Sequence, residues 1–146
     1  MRATSKGNDS EGNHQTMSNN WDAVINNLVA VDSATNNTAD VVQAGKAFDI
    51  VADVEAGANI NGFAKGDQLF VSVRNLSQSK TVFQASPSRP LNSIEQPLND
   101  KLRVNVPVGW TGSPGDLMEV VATYRFDAGA YTDYSGTQSR QFIATA

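Results

Sequence analysis

The sequence has no cysteine and a single histidine, His14. The first absence removes disulfides and thiolate metal sites. The second removes a histidine-based triad or a histidine-rich metal centre from the body of the chain. No apolar run approaches the roughly 18 residues that a membrane-spanning helix needs. Met1 to Asn20 lacks the apolar segment of a secretory signal, so the expectation is a cytoplasmic or particle-associated protein with no membrane insertion. Charge is sparse and mildly acidic, with 15 acidic against 11 basic residues and a net charge of −4. Nothing in that balance draws the chain to phosphate backbones, and no nucleic-acid partner is expected. Neither a Gly-x-Ser-x-Gly elbow, a phosphate-cradling glycine loop nor an EF-hand calcium loop occurs, so no cofactor and no metal are expected.

Alternation is what the chain does have. Phe48, Ile50, Ala52 and Val54 alternate with Asp49, Val51, Asp53 and Glu55. After a turn-rich segment, Gly57 to Asp67, residues Leu69, Val71 and Val73 alternate with Phe70, Ser72 and Arg74. A period of two gives a strand one buried face and one wet face. Two such strands need a second layer to cover them. Lys101 to Val106 supplies Leu102, Val104 and Val106, and Leu117 to Phe126 supplies Met118, Val120, Ala122, Tyr124 and Phe126. These four segments form the expected core. Asp49, Asp53 and Glu55 are then expected to point to water, beside Lys101 and Arg103 of a neighbouring strand, with Asp53 and Arg103 as a candidate contact.

The remaining segments are less regular. Trp21 to Val31 predicts a short helical turn or coil followed by a strand near Leu28 to Ser33. Asp40 to Ala44 fits a short edge strand, and Lys80 to Ala85 is a short apolar stretch. Ser86 to Asp100 holds Pro87, Pro90 and Pro97, which cannot donate to a ladder, so it reads as an irregular crossing. Asp127 to Gly136 reads as a loop, and Thr137 to Ala144 as the final strand.

The fold expected is all-β, an antiparallel β-sandwich, with residues 21–146 as one domain and residues 1–20 as a disordered tail too polar to bury. The order of hairpin, crossing, strand and long terminal hairpin resembles an immunoglobulin-like sandwich. A jelly roll is the alternative, since it also reads as short alternating strands. The immunoglobulin-like layout implies that 47–56 pairs with 101–106, and that 68–75 pairs with 117–126 in the other sheet.

The candidate binding residues are aromatic. Trp110 sits in a Gly/Pro turn, and Tyr131 and Tyr134 sit in Gly-Ala-Tyr-Thr-Asp-Tyr-Ser-Gly. Exposed rings on a rigid scaffold bind proteins or sugars. Alternatively each ring caps an end of the core, and Trp110 suits that role best. No catalytic residues are proposed, because only carboxylate chemistry remains open and no convergent acid pair is evident. The expected function is a non-enzymatic structural or interaction module that self-assembles or docks on a larger protein assembly. The alternative is a carbohydrate-binding module that holds a glycan with its loop aromatics.

Overall fold

The computed structural model describes residues 20–146. The tail expected over residues 1–20 lies almost wholly outside them. The chain forms strands β1 (Ala23–Asp32), β2 (Val41–Gln43), β3 (Phe48–Ala56), β4 (Gly66–Asn75), β5 (Lys80–Ala85), β6 (Ser88–Pro90), β7 (Leu98–Val106), β8 (Leu117–Ala128), β9 (Tyr131–Gln138) and β10 (Phe142–Thr145). A single-turn helix, α1 (Ala58–Asn61), interrupts the strands after β3. The strands make two sheets packed as a β-sandwich. The smaller has the order β1-β3-β7; the larger runs β2-β10-β8-β4-β5, with β6 also on β4 and β9 also on β8.

The alternating segments behave as their periodicity requires. β3 pairs antiparallel with β7 from Phe48↔Val106 to Ala56↔Leu98. β4 pairs with β8 from Gly66↔Asp127 to Asn75↔Met118. Phe48, Ile50, Ala52, Val54, Leu69, Val71, Val73, Val104, Val106, Met118, Val120, Ala122, Tyr124 and Phe126 are all buried in one cluster. Leu102 is only half-buried against that cluster, because β7 is the edge of its sheet. Ile25, Leu28, Ile60, Trp110 and Phe142 complete the core.

Four expectations are corrected. The strand expected near Leu28 to Ser33 is present, but the helical turn or coil expected ahead of it is instead the first part of β1 from Ala23, and β1 pairs with β3 along its length. A register shift between Ile25 and Asn27 explains the confusing pattern there, since a bulge breaks strict alternation. The crossing at Ser86 to Asp100 contains β6, which lies on β4 with Gly66↔Pro90 and Gln68↔Ser88. Proline is tolerated there because it ends a three-residue strand. The loop at Asp127 to Gly136 is a hairpin: β8 continues to Ala128 and returns as β9, turning at Gly129 with φ +80°. Finally, the last strand is broken into β9 and β10. Ser139 bridges the break, its Oγ accepting from the Val120 amide at 2.9 Å and its own amide donating to the Val120 carbonyl.

Arg89 shows why the 86–100 segment is held. It forks onto Asp67 of β4 at 2.9 and 3.0 Å and reaches Asp100 of β7 at 2.5 Å. One guanidinium thereby ties the larger sheet to the smaller. The Tyr124 hydroxyl donates to the same Asp67 carboxylate at 2.6 Å. Burial, reinforced by that carboxylate, pushes the Tyr124 hydroxyl far above the ordinary tyrosine range.

Candidate functional site

Trp110 is withdrawn from the surface, being only 7% exposed. Its ring meets Phe48 edge-on with centroids 5.8 Å apart, and its Nε1 donates to the Lys46 carbonyl at 2.6 Å. Gly112 lies so close that a Cβ there would sit 2.5 Å from the ring. Trp110 thus caps the core and offers no open face.

Tyr131 and Tyr134 remain exposed, at 48% and 61%, but they do not share a surface. Both lie in β9, and an odd separation along a strand sends side chains to opposite sides. Tyr131 falls on the side of Asp133 and Ser135, which accept from the Ala23 amide at 2.8 Å and the Ile25 amide at 3.1 Å. Those two contacts fasten the start of β1 across to β9. Tyr134 points to the other side, the outer face of the larger sheet.

That outer face is built from directly paired residues, which project to the same side of an antiparallel sheet. Tyr134 stands opposite Arg125, Arg125 opposite Gln68, and Gln68 opposite Ser88. These four make one row across β9, β8, β4 and β6. The adjacent row holds Phe70, Thr123 and Gly136. Phe70 is 39% exposed although it is apolar. Gly136 has no side chain, so a trough of about 560 Å³ opens between Phe70, Thr123 and Gln138. On the far side of the Arg125 row comes Gly66, paired with Asp127. A Cβ on Gly66 would lie 2.9 Å from the Arg89 carbonyl, so only glycine fits. Beside Gly66 lies a second hollow of about 200 Å³, lined by Lys65, Gln68, Ser88, Arg89, Arg125 and Asp127 among others. Two aromatic rings therefore flank a cation between two glycine hollows.

Thr123 and Arg125 alternate with the core residues of their strand and so stand on its wet face, but alternation alone gives them no role. Phe70 carried a signal: a large apolar ring where alternation demands a polar residue. Tyr134 is a candidate from the sequence, but Arg125 as its neighbour depends on a hairpin that reads there as a loop.

A second exposed aromatic feature sits at one end of the sandwich. Trp21 and Phe63 stack with centroids 5.9 Å apart and planes within 18°. Each shields one face of the other.

The charged face of the smaller sheet differs from expectation. Asp53 pairs with Lys101 at 2.7 Å and is not the partner of Arg103. Arg103 instead meets Asp49 at 2.6 Å and the Thr35 carbonyl at 2.6 Å. Asp49 is not wet but buried, its carboxylate also accepting from Asn105 at 2.8 Å and the Ala34 amide at 3.0 Å. Burial alone would raise its pKa, but donation from Asn105, Ala34 and Arg103 outweighs it and holds the carboxyl below the ordinary range. This carboxylate fixes the β1–β2 loop, in which Ala34 takes a left-handed φ of +60°. Among the described residues no group of three or more metal-ligating side chains converges.

No protein-family model matches the chain, and no curated protein matches it. Solved structures do match. One is the β-glucuronidase of Bifidobacterium dentium complexed with coumarin-3-O-glucuronide, at 10% identity and a TM-score of 0.42. The match covers 85% of this chain and 18% of the enzyme's, so the chain spans less than a fifth of that protein's length.

Proposed function

We propose that the protein is a non-enzymatic recognition module that docks through the outer face of its larger sheet. The observation that carries this is the pair of exposed rings, Phe70 and Tyr134, on one sheet face with Arg125 beside them. A large ring on a wet strand face gains from being covered, and aromatics with arginine are the residues that dominate recognition surfaces. The buried carboxylates support the absence of catalysis, since Asp49 and Asp67 are each enclosed by several donors and serve the fold. The strand order, β1-β3-β7 against β2-β10-β8-β4-β5, supports an immunoglobulin-like sandwich as the finer assignment, ahead of a jelly roll.

The occupant on the first reading is a protein, a second copy included. Light scattering during size-exclusion chromatography at rising concentration tests the self-docking form. A mass that rises with concentration, and stays monomeric in Phe70→Ala/Tyr134→Ala, is the expected result. A monomer throughout would rule self-docking out. The second reading is a carbohydrate. It is favoured by the trough between Phe70 and Gly136, since a shallow, largely apolar groove edged by Thr123, Thr137 and Gln138 suits a sugar's apolar face and its hydroxyls. A glycan array with the wild type and the same double variant tests it.

A further inference from the structure

We infer that Arg125 and Lys65 form a site for the acidic group of a carbohydrate, a carboxylate or a sulfate, seated in the Gly66 hollow. This deepens the carbohydrate reading and rests on it. Arg125 is the unusual residue. Its Nε is shielded from solvent and has no hydrogen-bond partner among the described residues. Buried donors are almost always satisfied, so the orphan Nε marks Arg125 as a cation that the fold leaves incompletely matched. No acid lies within ion-pair distance of Arg125, and the same holds for Lys65 among the described residues. Both line the hollow of about 200 Å³, a volume that suits one ionised group with part of the ring that carries it.

The other charges around the hollow are already engaged. Asp67 is held by Arg89 and by the Tyr124 hydroxyl. Asp127 accepts from the Gly129 amide at 3.0 Å with one oxygen. Three cations and two carboxylates line the space, so it is net positive on a chain that is net negative. A guanidinium binds a planar carboxylate or a sulfate through parallel N–H donors, and a lysine adds a point charge.

The neighbours decide for a sugar over an acidic peptide. Gln68 and Ser88 stand in the Arg125 row as hydroxyl partners, and Tyr134 ends that row with an exposed ring on which a pyranose could lie. An anion fixed at Arg125 would thus bring the attached ring toward Tyr134, with the next sugar toward the Phe70 trough.

Titration calorimetry at low salt tests this with four probes: oligogalacturonate, a heparin fragment, a neutral cello-oligosaccharide and poly-glutamate. Binding of oligogalacturonate or heparin at least tenfold tighter than the neutral oligomer is expected. Which of those two binds identifies the carboxylate or the sulfate. Arg125→Gln should weaken that binding tenfold or more, Lys65→Gln several-fold, and Arg125→Lys should recover part of it. In each variant the preference for the acidic over the neutral oligomer should shrink accordingly. Melting curves of the same variants establish that the sheet is intact, and if Arg125→Gln unfolds, the Lys65→Gln result decides. Equal binding of acidic and neutral oligomers, or an Arg125→Gln change without effect, overturns this inference and leaves the carbohydrate reading standing. Binding of poly-glutamate alone overturns both, as does no binding by any probe.

Discussion

At the scale of residues, two aspartates on one strand behave differently because of what closes over them. Asp53 faces Lys101, whose side chain is 71% exposed, and such a pair contributes only about 0.2–1 kcal/mol, less in salt. Asp49 is enclosed by Arg103, Asn105 and the Ala34 amide. Removing a buried, multiply bonded carboxylate strands its donors, so Asp49→Ala should lower stability by about 2–4 kcal/mol. Lys101→Ala should cost less than about 1 kcal/mol. Urea unfolding of both variants makes the comparison, and equal losses would contradict it. The same carboxylates set the response to acid. Asp49, Asp100 and Asp116 all have pKa values below their ordinary 3.8. For Asp100 the main cause is the Arg89 hydrogen bond, and for Asp116 the Asn75 side chain. A group whose folded pKa is depressed contributes its full stabilisation above its unfolded pKa. That contribution is lost as pH falls through the folded value. The melting temperature should therefore hold at neutral pH and fall below about pH 3.8. In Asp49→Asn that fall should be shallower. None of this enclosure was legible in the sequence, where Asp49 and Asp53 occupy equivalent positions. The difference comes from the 33–39 loop and from Asn105, which alternation does not place.

At the scale of elements, periodicity was informative wherever a strand has one covered face. β3, β4, β7 and β8 were recognisable from their apolar residues, and the immunoglobulin-like layout, with the charges on the two strands in keeping, implied the β3–β7 pairing. Ile50 and Val120 are fully buried, and truncating either to Ala should cost about 2–4 kcal/mol from lost transfer energy and the cavity left behind. Unchanged unfolding midpoints would contradict the face assignment. β9 was not legible, because it lies at an open side of the sheet and carries Tyr, Ser, Thr and Gly with little apolar contrast. Alternation fails as a signal when neither face is strongly buried. β6 was hidden by Pro90 within it and Pro87 just before it, and its position depends on Arg89 gripping Asp67. Tyr124→Phe should test that grip. Loss of one donor from the enclosed Asp67 should cost about 1–3 kcal/mol with no change in fold. A neutral effect would mean that Arg89 alone satisfies the carboxylate.

At the scale of the whole molecule, the two sheets are asymmetric in what they show to the outside. The smaller sheet presents Asp53, Lys101 and Arg103, which neutralise one another or hold a loop. The larger presents two rings, a guanidinium whose Nε has no partner among the described residues, and two hollows. Covering the second face would satisfy groups that the fold leaves unmatched; covering the first would break contacts already made. Half of this surface could be read from the sequence: Tyr134 was marked, and Phe70 was out of place by alternation. Its assembly into rows requires the register of β4, β8 and β9, which is a property of the folded sheet. The most direct test of which face docks is amide chemical-shift mapping of the isotope-labelled protein, first as its own concentration rises and then during titration with oligogalacturonate, so that either occupant reports the face it uses. The account predicts perturbations centred on Gly66, Phe70, Thr123, Arg125, Tyr134 and Gly136, with β3 and β7 unaffected. Perturbations centred on Asp53 and Lys101, on the Trp21–Phe63 stack, or nowhere would contradict it.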